Sequence, residues 1–367
     1  MSILTRRAIL AAPFVIAALS GAGPARAAPG DPSPGLMILT GFRGTDPASP
    51  EAAQVCRMLA RGEIAGVLLL ERNIRSPEQL SRLTNALRAA SPALPPVIAL
   101  DQEGGKVARL GAAQGFLDWR GAADLARDTA SSEDIYAYYA PRAQQLAEAG
   151  INLNLAPVVD LALEPRNPVI TRLGRAFGRD PDTVLRHAEM IIRAHRSADV
   201  KTCLKHFPGH GSALHDSHDS PVDLRATWKA VEIVPFQRLV DAGLADALML
   251  AHVIHPYLSD SAETPVSLSR AAGEIVREVM GFRGPLISDG MQMSAITARF
   301  SETEAAMLAL NAGNDLLIYA NQRGSESIDT APRVAAALAR ALAEGRVLAE
   351  DLHDRISRVT ALRARLF

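Results

Sequence analysis

The 367-residue sequence predicts an α/β fold, a single (β/α)8 barrel with its active site at the carboxyl ends of the strands. Eight short apolar runs recur along the chain, and segments of helical periodicity separate them. Acidic, basic or histidine residues follow most of these runs, as functional groups do in barrels. A composition of 48% hydrophobic and 22% charged residues is typical of a globular protein, which excludes disorder over most of the length.

The strand candidates justify the count of eight. They lie at residues 36–39, 66–70, 97–100, 151–156, 200–205, 247–251, 286–288 and 315–319. The helical segments between and after them include residues 77–89, 181–194, 271–280 and 330–343. This alternation predicts parallel strands joined by right-handed crossovers. An open, doubly wound sheet is the alternative fold, although no G-x-G-x-x-G fingerprint follows the first strand.

The N-terminal segment differs in composition from the rest and is predicted to lie outside the barrel. Arg6 and Arg7 precede a short apolar run, and small residues surround a cleavage point after Ala27, which is the pattern of a secretory signal peptide. The paired arginines are typical of twin-arginine export, and the apolar run is shorter than the ~20 residues of a membrane span. We therefore expect an exported protein, periplasmic or secreted, without a membrane span in the mature chain. The predicted divisions are a signal peptide over 1–27, a linker over 28–34 and the barrel over 35–367.

Charge and cysteine content exclude several functional classes. The 39 basic residues nearly balance the 40 acidic ones, so the chain has no electrostatic attraction for nucleic acid. Cys56 and Cys203 are the only cysteines and form no C-x-x-C pair of the kind used for zinc or thioredoxin chemistry. Because Cys203 lies in an apolar strand-like run, we expect a buried, inert thiol there.

Polar residues at the ends of successive strands predict where a site would form. In a barrel, side chains that follow different strands meet at one rim, whereas a structural protein has no reason to repeat charged groups there. The residues in question are Asp101, Gln102 and Glu103 after the third strand, Asp160 after the fourth, Lys205 and His206 on the fifth, His252 and His255 after the sixth, and Asp289 after the seventh.

Residues 205–218, called the histidine loop below, contain four histidines and admit two kinds of chemistry. His206 and His210 have the spacing of a helical zinc site, but Pro208 and Gly209 between them forbid that helix. A metal module is therefore the alternative, and we expect no metal. Acid–base catalysis by His218 is favoured, because a carboxylate two residues earlier, at position 216, can orient an imidazole. No G-x-S-x-G elbow supports a serine hydrolase.

Taken together, these segments resemble the β-N-acetylhexosaminidase branch of glycoside hydrolase family 3, over about residues 35–317. The most specific matches are KHFPGHG at 205–211 with DSH at 216–218, and DQEGGKVARL at 101–110. Supporting matches are GFRG at 41–44, APVVD at 156–160, NPVI at 167–170 and ISD at 287–289.

The resemblance implies a cofactor-free, retaining glycosidase on a (β/α)8 barrel. Asp289 would be the nucleophile, His218 the acid/base, and Asp216 the residue that orients His218. Residues that would bind the sugar are Asp101, Arg109, Arg175, Lys205 and His206. The chain also departs from the family: Gly290 and Met291 follow the nucleophile position instead of an acidic pair, and Arg172 competes with Arg175 for one binding position, where we prefer Arg175.

The expected substrate is a terminal β-linked N-acetylglucosamine on peptidoglycan fragments, muropeptides or chitooligosaccharides. We expect the enzyme to be exo-acting and monomeric. The larger family 3 β-glucosidases carry an additional α/β sandwich domain, and we expect none here, which favours the acetamido sugar. Two alternatives stay open: a family 3 phosphorylase on the same scaffold, and a non-catalytic amino-sugar-binding protein.

Overall fold

A computed structural model describes residues 33–128, 131–217, 220–324 and 326–367, which belong to one compact unit. The predicted signal peptide and most of the predicted linker lie outside the described residues. Eight strands close into a parallel barrel in which each strand pairs with its neighbours in the chain and β1 pairs with β8. They are β1 Ile38–Thr40, β2 Gly66–Leu68, β3 Val97–Leu100, β4 Leu153–Asn154, β5 Lys201–Phe207, β6 Ala247–Leu250, β7 Leu286–Gly290 and β8 Leu316–Tyr319. The prediction of a (β/α)8 barrel is confirmed, and the open sheet is wrong.

Helices surround the barrel and follow its strands. They are α1 Pro50–Ala60, α2 Pro77–Ala89, α3 Ala122–Asp128, α4 Ser132–Glu148, α5 Pro181–Ser197, α6 Val234–Asp241, α7 Arg270–Glu274, α8 Ser294–Thr297, α9 Glu302–Asn311, α10 Thr330–Ala343 and α11 Ala349–Arg363. Short 3-10 turns occur at Pro34–Met37, Glu71–Asn73, Ala112–Gln114, Ala230–Ile233 and Val266–Leu268, and a small parallel sheet joins Val222–Asp223 to Val253–Ile254. No helix among the described residues is both long and apolar enough to cross a bilayer.

Sequence signals at the helix starts explain why the predicted bounds of α2 match the observed ones. The side chains of Ser76 and Asp180 accept hydrogen bonds from backbone N–H groups in the first turns of α2 and α5. Pro77 and Pro181 occupy the first helical positions, where the missing N–H and the fixed φ of proline suit a helix start. Helix α5 nevertheless continues to Ser197, beyond the predicted end at residue 194.

Most other predicted bounds differ from the observed ones by a few residues, and three of the differences have local reasons. The run at 36–39 begins in a 3-10 turn, because the Ser33 side chain accepts the N–H of Gly35 and starts that turn before β1. Only Leu153–Asn154 of the run at 151–156 is regular strand. There the Asn152 and Asn154 side chains hydrogen-bond to the backbone beside β3. The segment at 271–280 divides into α7 and a π-helix over Ile275–Val279.

Alternate residues of each strand face opposite sides, which separates two apolar layers. In β3, Ile98 and Leu100 belong to the large cluster packed against the helices, while Val97 and Ala99 belong to the cluster that fills the barrel. Cys203 also lies in the inner cluster, so the prediction of a buried thiol is confirmed, and it is a free thiol. This alternation fixes which side chain stands at the carboxyl end of each inward-facing row.

At the opposite end of the barrel, buried polar contacts bring in helix α11. The Asp315 carboxylate, which precedes β8, is bound by Arg277 at 2.7 Å and by Arg358 of α11 at 2.8 Å. Arg363, also on α11, donates to the backbone carbonyls of Leu94 and Pro95, just before β3. Helix α11 therefore connects the segments that precede β3 and β8.

Candidate active site

The inward-facing rows of three strands end in charged side chains. Asp101 continues the row of Val97 and Ala99, Lys205 continues that of Cys203, and Asp289 continues that of Ile287. Because side chains alternate along a strand, each charged group lies on the inner face, immediately beyond the apolar filling of the barrel. Because side chains alternate along each strand, the apolar interior of the barrel is followed directly by a polar site.

These side chains border a cavity of about 400 Å³ at the carboxyl ends of the strands. That volume lies in the range of ~300–1,000 Å³ that small-molecule pockets occupy. Of the eight predicted site residues, seven line the cavity: Asp101, Arg109, Arg175, Lys205, His206, Asp216 and Asp289. His218, the eighth, lies outside the described residues. The wall also contains apolar side chains, among them Leu68, Val107, Leu155, Met249 and Met293.

Lys205 stands at the centre of a buried cluster of charges. Its Nζ lies 2.7 Å from an oxygen of Asp101 and 2.6 Å from an oxygen of Glu103, and its side chain is only 2% exposed. Although burial opposes the charged form, the two carboxylates outweigh burial and raise the pKa of Lys205. The lysine is therefore held as an ammonium ion between two anions.

Arg175 makes the most extensive contacts in the cluster. Its Nε and Nη2 donate to the two oxygens of Glu103 at 2.7 and 2.8 Å, and its Nη1 donates to the carbonyl of Val169. This is the bidentate geometry that makes guanidinium–carboxylate pairs strong. Burial would raise the pKa of Glu103, but Arg175 and Lys205 hold it well below its usual range. Arg175 lines the cavity, whereas Arg172 is exposed and is absent from the cavity wall.

Asp160 fixes the orientation of His206. The fully buried carboxylate accepts from the His206 ring Nδ1 at 2.7 Å and from the backbone N–H groups of His206 and His210. On the other side of the ring, Nε2 lies 3.3 Å from the Arg175 guanidinium, which can only donate. Burial opposes ionisation of Asp160, yet His206 and the N–H donors lower its pKa. The imidazole therefore carries its proton on Nδ1 and is held in one plane.

Asp101 presents its carboxylate to the cavity between two cations. Lys205 binds one oxygen, and the Arg109 Nη2 lies 3.3 Å from the other. Burial would raise the pKa of Asp101, but the two cations outweigh it and lower that pKa. The side chain is still 19% exposed, so an oxygen of this ionised group is accessible to a ligand hydroxyl.

Asp289 lies half-buried at the end of β7, where the N–H of Gly290 donates to its Oδ1 at 2.7 Å. Behind this segment, His252 Nε2 donates to the carbonyl of Gly290 at 3.0 Å, because a carbonyl can only accept. The hydroxyl of Ser267 lies 2.6 Å from His252 Nδ1. A buried histidine and a buried serine therefore support the backbone that carries the Asp289 carboxylate.

Two of the strand-end histidines do not line the cavity. His252 acts on the backbone behind it, as described. His255 Nδ1 accepts from the N–H groups of Tyr257 and Leu258, and its ring packs edge-on against Trp228. The expectation that every strand-end polar side chain would point into one site is wrong for this pair, and Gln102 and Asp160 do not line the cavity either. The nitrogens of His252 are engaged by the Gly290 carbonyl and the Ser267 hydroxyl, whereas Nδ1 of His255 is engaged by N–H groups of its own loop.

Glu103 and Asp160 are the residues whose importance the sequence analysis missed. Each was noted at a strand end, but neither was chosen as a site residue. The signal was their position, because both carboxylates follow barrel strands, and Glu103 also lies between two selected residues, Asp101 and Arg109. They act by holding Arg175, Lys205 and His206.

The histidine loop shows no arrangement typical of a metal centre in its described part. The ring centroids of His206 and His210 are 6.0 Å apart, and the ring planes are inclined at 65°. Burial lowers the pKa of His210 to about 4, so its ring is neutral at neutral pH. Among the described residues no three His, Cys, Asp or Glu side chains are grouped to hold a metal ion.

Comparison with known proteins identifies a family model and several relatives that are similar to this chain in sequence. A sequence model of the "Glycosyl hydrolase family 3 N terminal domain" matches residues 44–362. A β-hexosaminidase of Stenotrophomonas maltophilia strain K279a is 36% identical over 292 residues, covering 77% of this chain and 82% of the relative. The β-hexosaminidase A of Pseudoalteromonas piscicida is 31% identical over 333 residues, and this alignment covers 85% of the chain but only 55% of that relative.

Solved structures give the same likeness. A family 3 β-N-acetylglucosaminidase from Paenibacillus sp. str. FPU-7 superposes with a TM-score of 0.83 at 28% identity, covering 92% of this chain and 63% of that one. A β-N-acetylhexosaminidase from Beutenbergia cavernae DSM 12333 gives a TM-score of 0.79 at 26% identity, over 91% of this chain and 98% of that one. The chain thus spans less than two thirds of the length of some similar proteins and almost the full length of others.

Proposed function

The chain belongs to glycosyl hydrolase family 3, and from that premise we propose that it is a retaining, exo-acting β-N-acetylhexosaminidase. The observation that carries the proposal is the shared cavity: the Asp289 carboxylate and the Asp216 carboxylate line the same small space as a fixed set of sugar-binding charges. A nucleophile, the residue that would orient an acid/base, and hydroxyl-binding groups therefore face one ligand.

In the first step, a carboxylate oxygen of Asp289 attacks the anomeric carbon, and the bond from that carbon to the glycosidic oxygen breaks. His218 gives its proton to the departing oxygen, so the aglycone leaves as a neutral alcohol. Asp216, two residues before His218, stabilises the imidazolium that supplies this proton. The sugar is then held as an ester of Asp289.

In the second step, a water oxygen attacks the anomeric carbon and the ester bond to Asp289 breaks. His218 takes a proton from that water and returns to its starting form. Two inversions at one carbon give a product with the original β configuration. A neutral imidazole is suited to this step, because it serves as a base without adding an anion beside the aspartyl ester.

The cluster around Lys205 suits recognition of a single sugar. Asp101, ionised and partly exposed, can accept from two neighbouring hydroxyls, while Lys205 and Arg109 donate to sugar oxygens. Hydrogen bonds to charged groups are roughly twice as strong as those between neutral groups. Arg175 has fewer donors left after binding Glu103 and Val169, so we propose that it mainly positions Glu103 and His206.

The residues at the mouth of the cavity indicate which kind of aglycone the substrate carries. Gln292, Gln322, Arg323 and Glu326 line it, and Gln322 and Arg323 are exposed. Amide and charged groups there favour a polar aglycone, so we propose peptidoglycan fragments or chitooligosaccharides as substrates. The leader-like sequence before residue 28 supports exposure to such glycans outside the cytoplasm.

Replacement of His218 by alanine tests the proposed acid/base. We expect kcat on an aryl β-N-acetylglucosaminide to fall by about 10²–10⁴-fold, the usual contribution of a positioned acid or base. With a good leaving group the loss should lie in deglycosylation, and sodium azide should restore turnover, because azide attacks the glycosyl-enzyme without needing a base. Release of nitrophenol and formation of the glycosyl azide are the measurements.

The control for that experiment is His215→Ala, which alters an exposed histidine of the same loop. It should keep wild-type turnover and show no response to azide. Full activity in His218→Ala would refute the acid/base assignment. Dependence of product formation on inorganic phosphate, with sugar phosphate as the product, would identify the phosphorylase instead, and binding of N-acetylglucosamine without turnover by the wild type would identify a binding protein.

A second prediction concerns the support behind the nucleophile. In His252→Leu the carbonyl of Gly290 loses its buried donor, so the end of β7 should shift and kcat should fall about 10- to 100-fold. His252→Gln should retain more activity, because its amide N–H can still reach that carbonyl. Steady-state kinetics on both variants measure this, and equal losses in the two would contradict a role through the Gly290 contact.

A further inference from the structure

We propose that Glu232 is a positioning residue for the part of the histidine loop that carries Asp216 and His218. This inference rests on the function proposed above. Glu232 lies in the 3-10 turn Ala230–Ile233 that precedes α6, its side chain is fully buried, and it does not line the cavity. Any effect on the reaction must therefore pass through the loop.

The carboxylate is the acceptor for four donors. Its Oε2 accepts from the backbone N–H groups of Gly211 at 3.0 Å and Ser212 at 3.2 Å. Its Oε1 accepts from the Ser212 hydroxyl at 2.6 Å and from the N–H of Lys229 at 3.2 Å. Three of these four bonds hold consecutive loop residues, so Glu232 fixes the backbone four residues before Asp216.

The loop also packs tightly against Glu232 and the neighbouring backbone at the same place. At Gly209, with φ +111°, an added Cβ would lie 2.5 Å from the Glu232 Cβ. A Cβ added at Gly211 would lie 1.7 Å from the carbonyl oxygen of Leu161. The loop is thus enclosed between Glu232 on one side and Leu161 on the other, and only glycine fits at these two positions.

Two buried carboxylates therefore hold the loop in succession. Asp160 binds the N–H groups of His206 and His210, and Glu232 binds those of Gly211 and Ser212. Ala213 is still buried, whereas Leu214 and His215 are at the surface. Glu232 is therefore the second of the two carboxylates that hold the loop before Asp216. One further contact follows, in which the Ser217 carbonyl accepts from the N–H of Ala295 at 3.3 Å.

Loss of this anchor should slow only the steps that use the Asp216/His218 pair, namely protonation of the leaving group and attack of water on the glycosyl-enzyme. Attack by Asp289, which lies on β7, should keep its rate on a substrate whose leaving group needs no proton. A misplacement of about 1 Å costs up to about 100-fold in rate. A general loss of folding would instead reduce both kinds of step.

The experiment compares Glu232→Gln with the wild type and with His218→Ala. Burial raises the pKa of Glu232 to about 7, so assays are run at about pH 8, where the carboxylate is ionised. We expect kcat on an aryl β-N-acetylglucosaminide to fall about 10- to 100-fold and azide to restore turnover. The rate at which 5-fluoro-N-acetylglucosaminyl fluoride labels Asp289 should stay within about twofold of wild type, because fluoride leaves with little help from an acid.

Ser212→Ala gives a second, milder variant that removes only the hydroxyl contact to Oε1, and it should show the same pattern with a smaller loss. Glu274→Gln, at an exposed carboxylate, is the matched control and should behave as wild type. Parallel loss of labelling and turnover, or no response to azide in either variant while His218→Ala responds, would overturn the role of Glu232. If His218→Ala itself fails to respond, the proposed function fails instead.

Discussion

Replacement of Asp289 by asparagine should remove hydrolysis of β-N-acetylglucosaminides almost completely, with kcat reduced by at least about 10⁴-fold. An amide cannot form the glycosyl ester, and removing a nucleophile typically costs an enzyme about 10⁶-fold in kcat. The fold should be unaffected, because the carboxylate is half-buried and the N–H of Gly290, which donates to it, can donate equally to an amide oxygen. Release of nitrophenol measures the loss, and thermal unfolding of the variant checks the fold.

Covalent trapping identifies the same residue independently. A 5-fluoro glycosyl fluoride should label the wild type with one sugar, and peptide mass mapping should place it on Asp289. The Asp289→Asn variant should take no label, whereas Asp182→Asn, which alters a side chain 78% exposed to solvent, should label and turn over normally. A label on any other carboxylate would reject the proposed nucleophile.

Lys205→Met should be the most destabilising single substitution in the cavity, by about 3–5 kcal/mol of unfolding free energy. The methionine fills much of the volume but leaves Asp101 and Glu103 without the ammonium that lies within 2.7 Å of both. Breaking one partner out of a buried ion cluster leaves uncompensated charge, which costs far more than the intact pair contributes. Urea unfolding at neutral pH measures the loss, and substrate affinity should fall as well.

The pH dependence of that loss distinguishes electrostatics from packing. Asp101 and Glu103 have lowered pKa values when folded, so their stabilising contribution is present above about pH 4, their unfolded range, and disappears as the pH falls through the folded values. The difference between wild type and variant should therefore shrink at acid pH. Lys201→Met, on the same strand, should cost little at any pH, and a pH-independent deficit in Lys205→Met would point to packing alone.

Much of the fold could be predicted because the barrel strands are buried on both faces. Such strands are short, almost continuously apolar runs, and all eight were found at their places in the chain. The exact ends of the strands were harder to predict, because side chains such as Asn152 and Asn154 also hydrogen-bond to backbone groups in and after β3. Those contacts depend on a neighbouring strand, which a local pattern does not contain.

The site was predictable wherever a functional side chain continues an inward-facing row. Asp101, Lys205 and Asp289 do so, and the strand period alone places them together. The pairing of Arg175 with Glu103 was not predictable, because 72 residues separate them and only the closed barrel brings them into contact. The prediction that His255 points into the site was wrong for a related reason. Its Nδ1 accepts hydrogen bonds from the backbone of its own loop, and a pattern of residue types does not reveal such contacts.

Helix α11 gives the barrel a particular order of completion during synthesis. Arg358 and Arg363 supply contacts to the segments before β8 and β3, and β1 finds its second neighbour only in β8, about 280 residues further along the chain. Contacts of such long sequence separation form late and slowly. A ribosome that has released the first seven strands therefore still holds an open sheet whose two edge strands, β1 and β7, have no partners on their outer sides. Closure of the barrel becomes a single late event that waits for β8 and for α11.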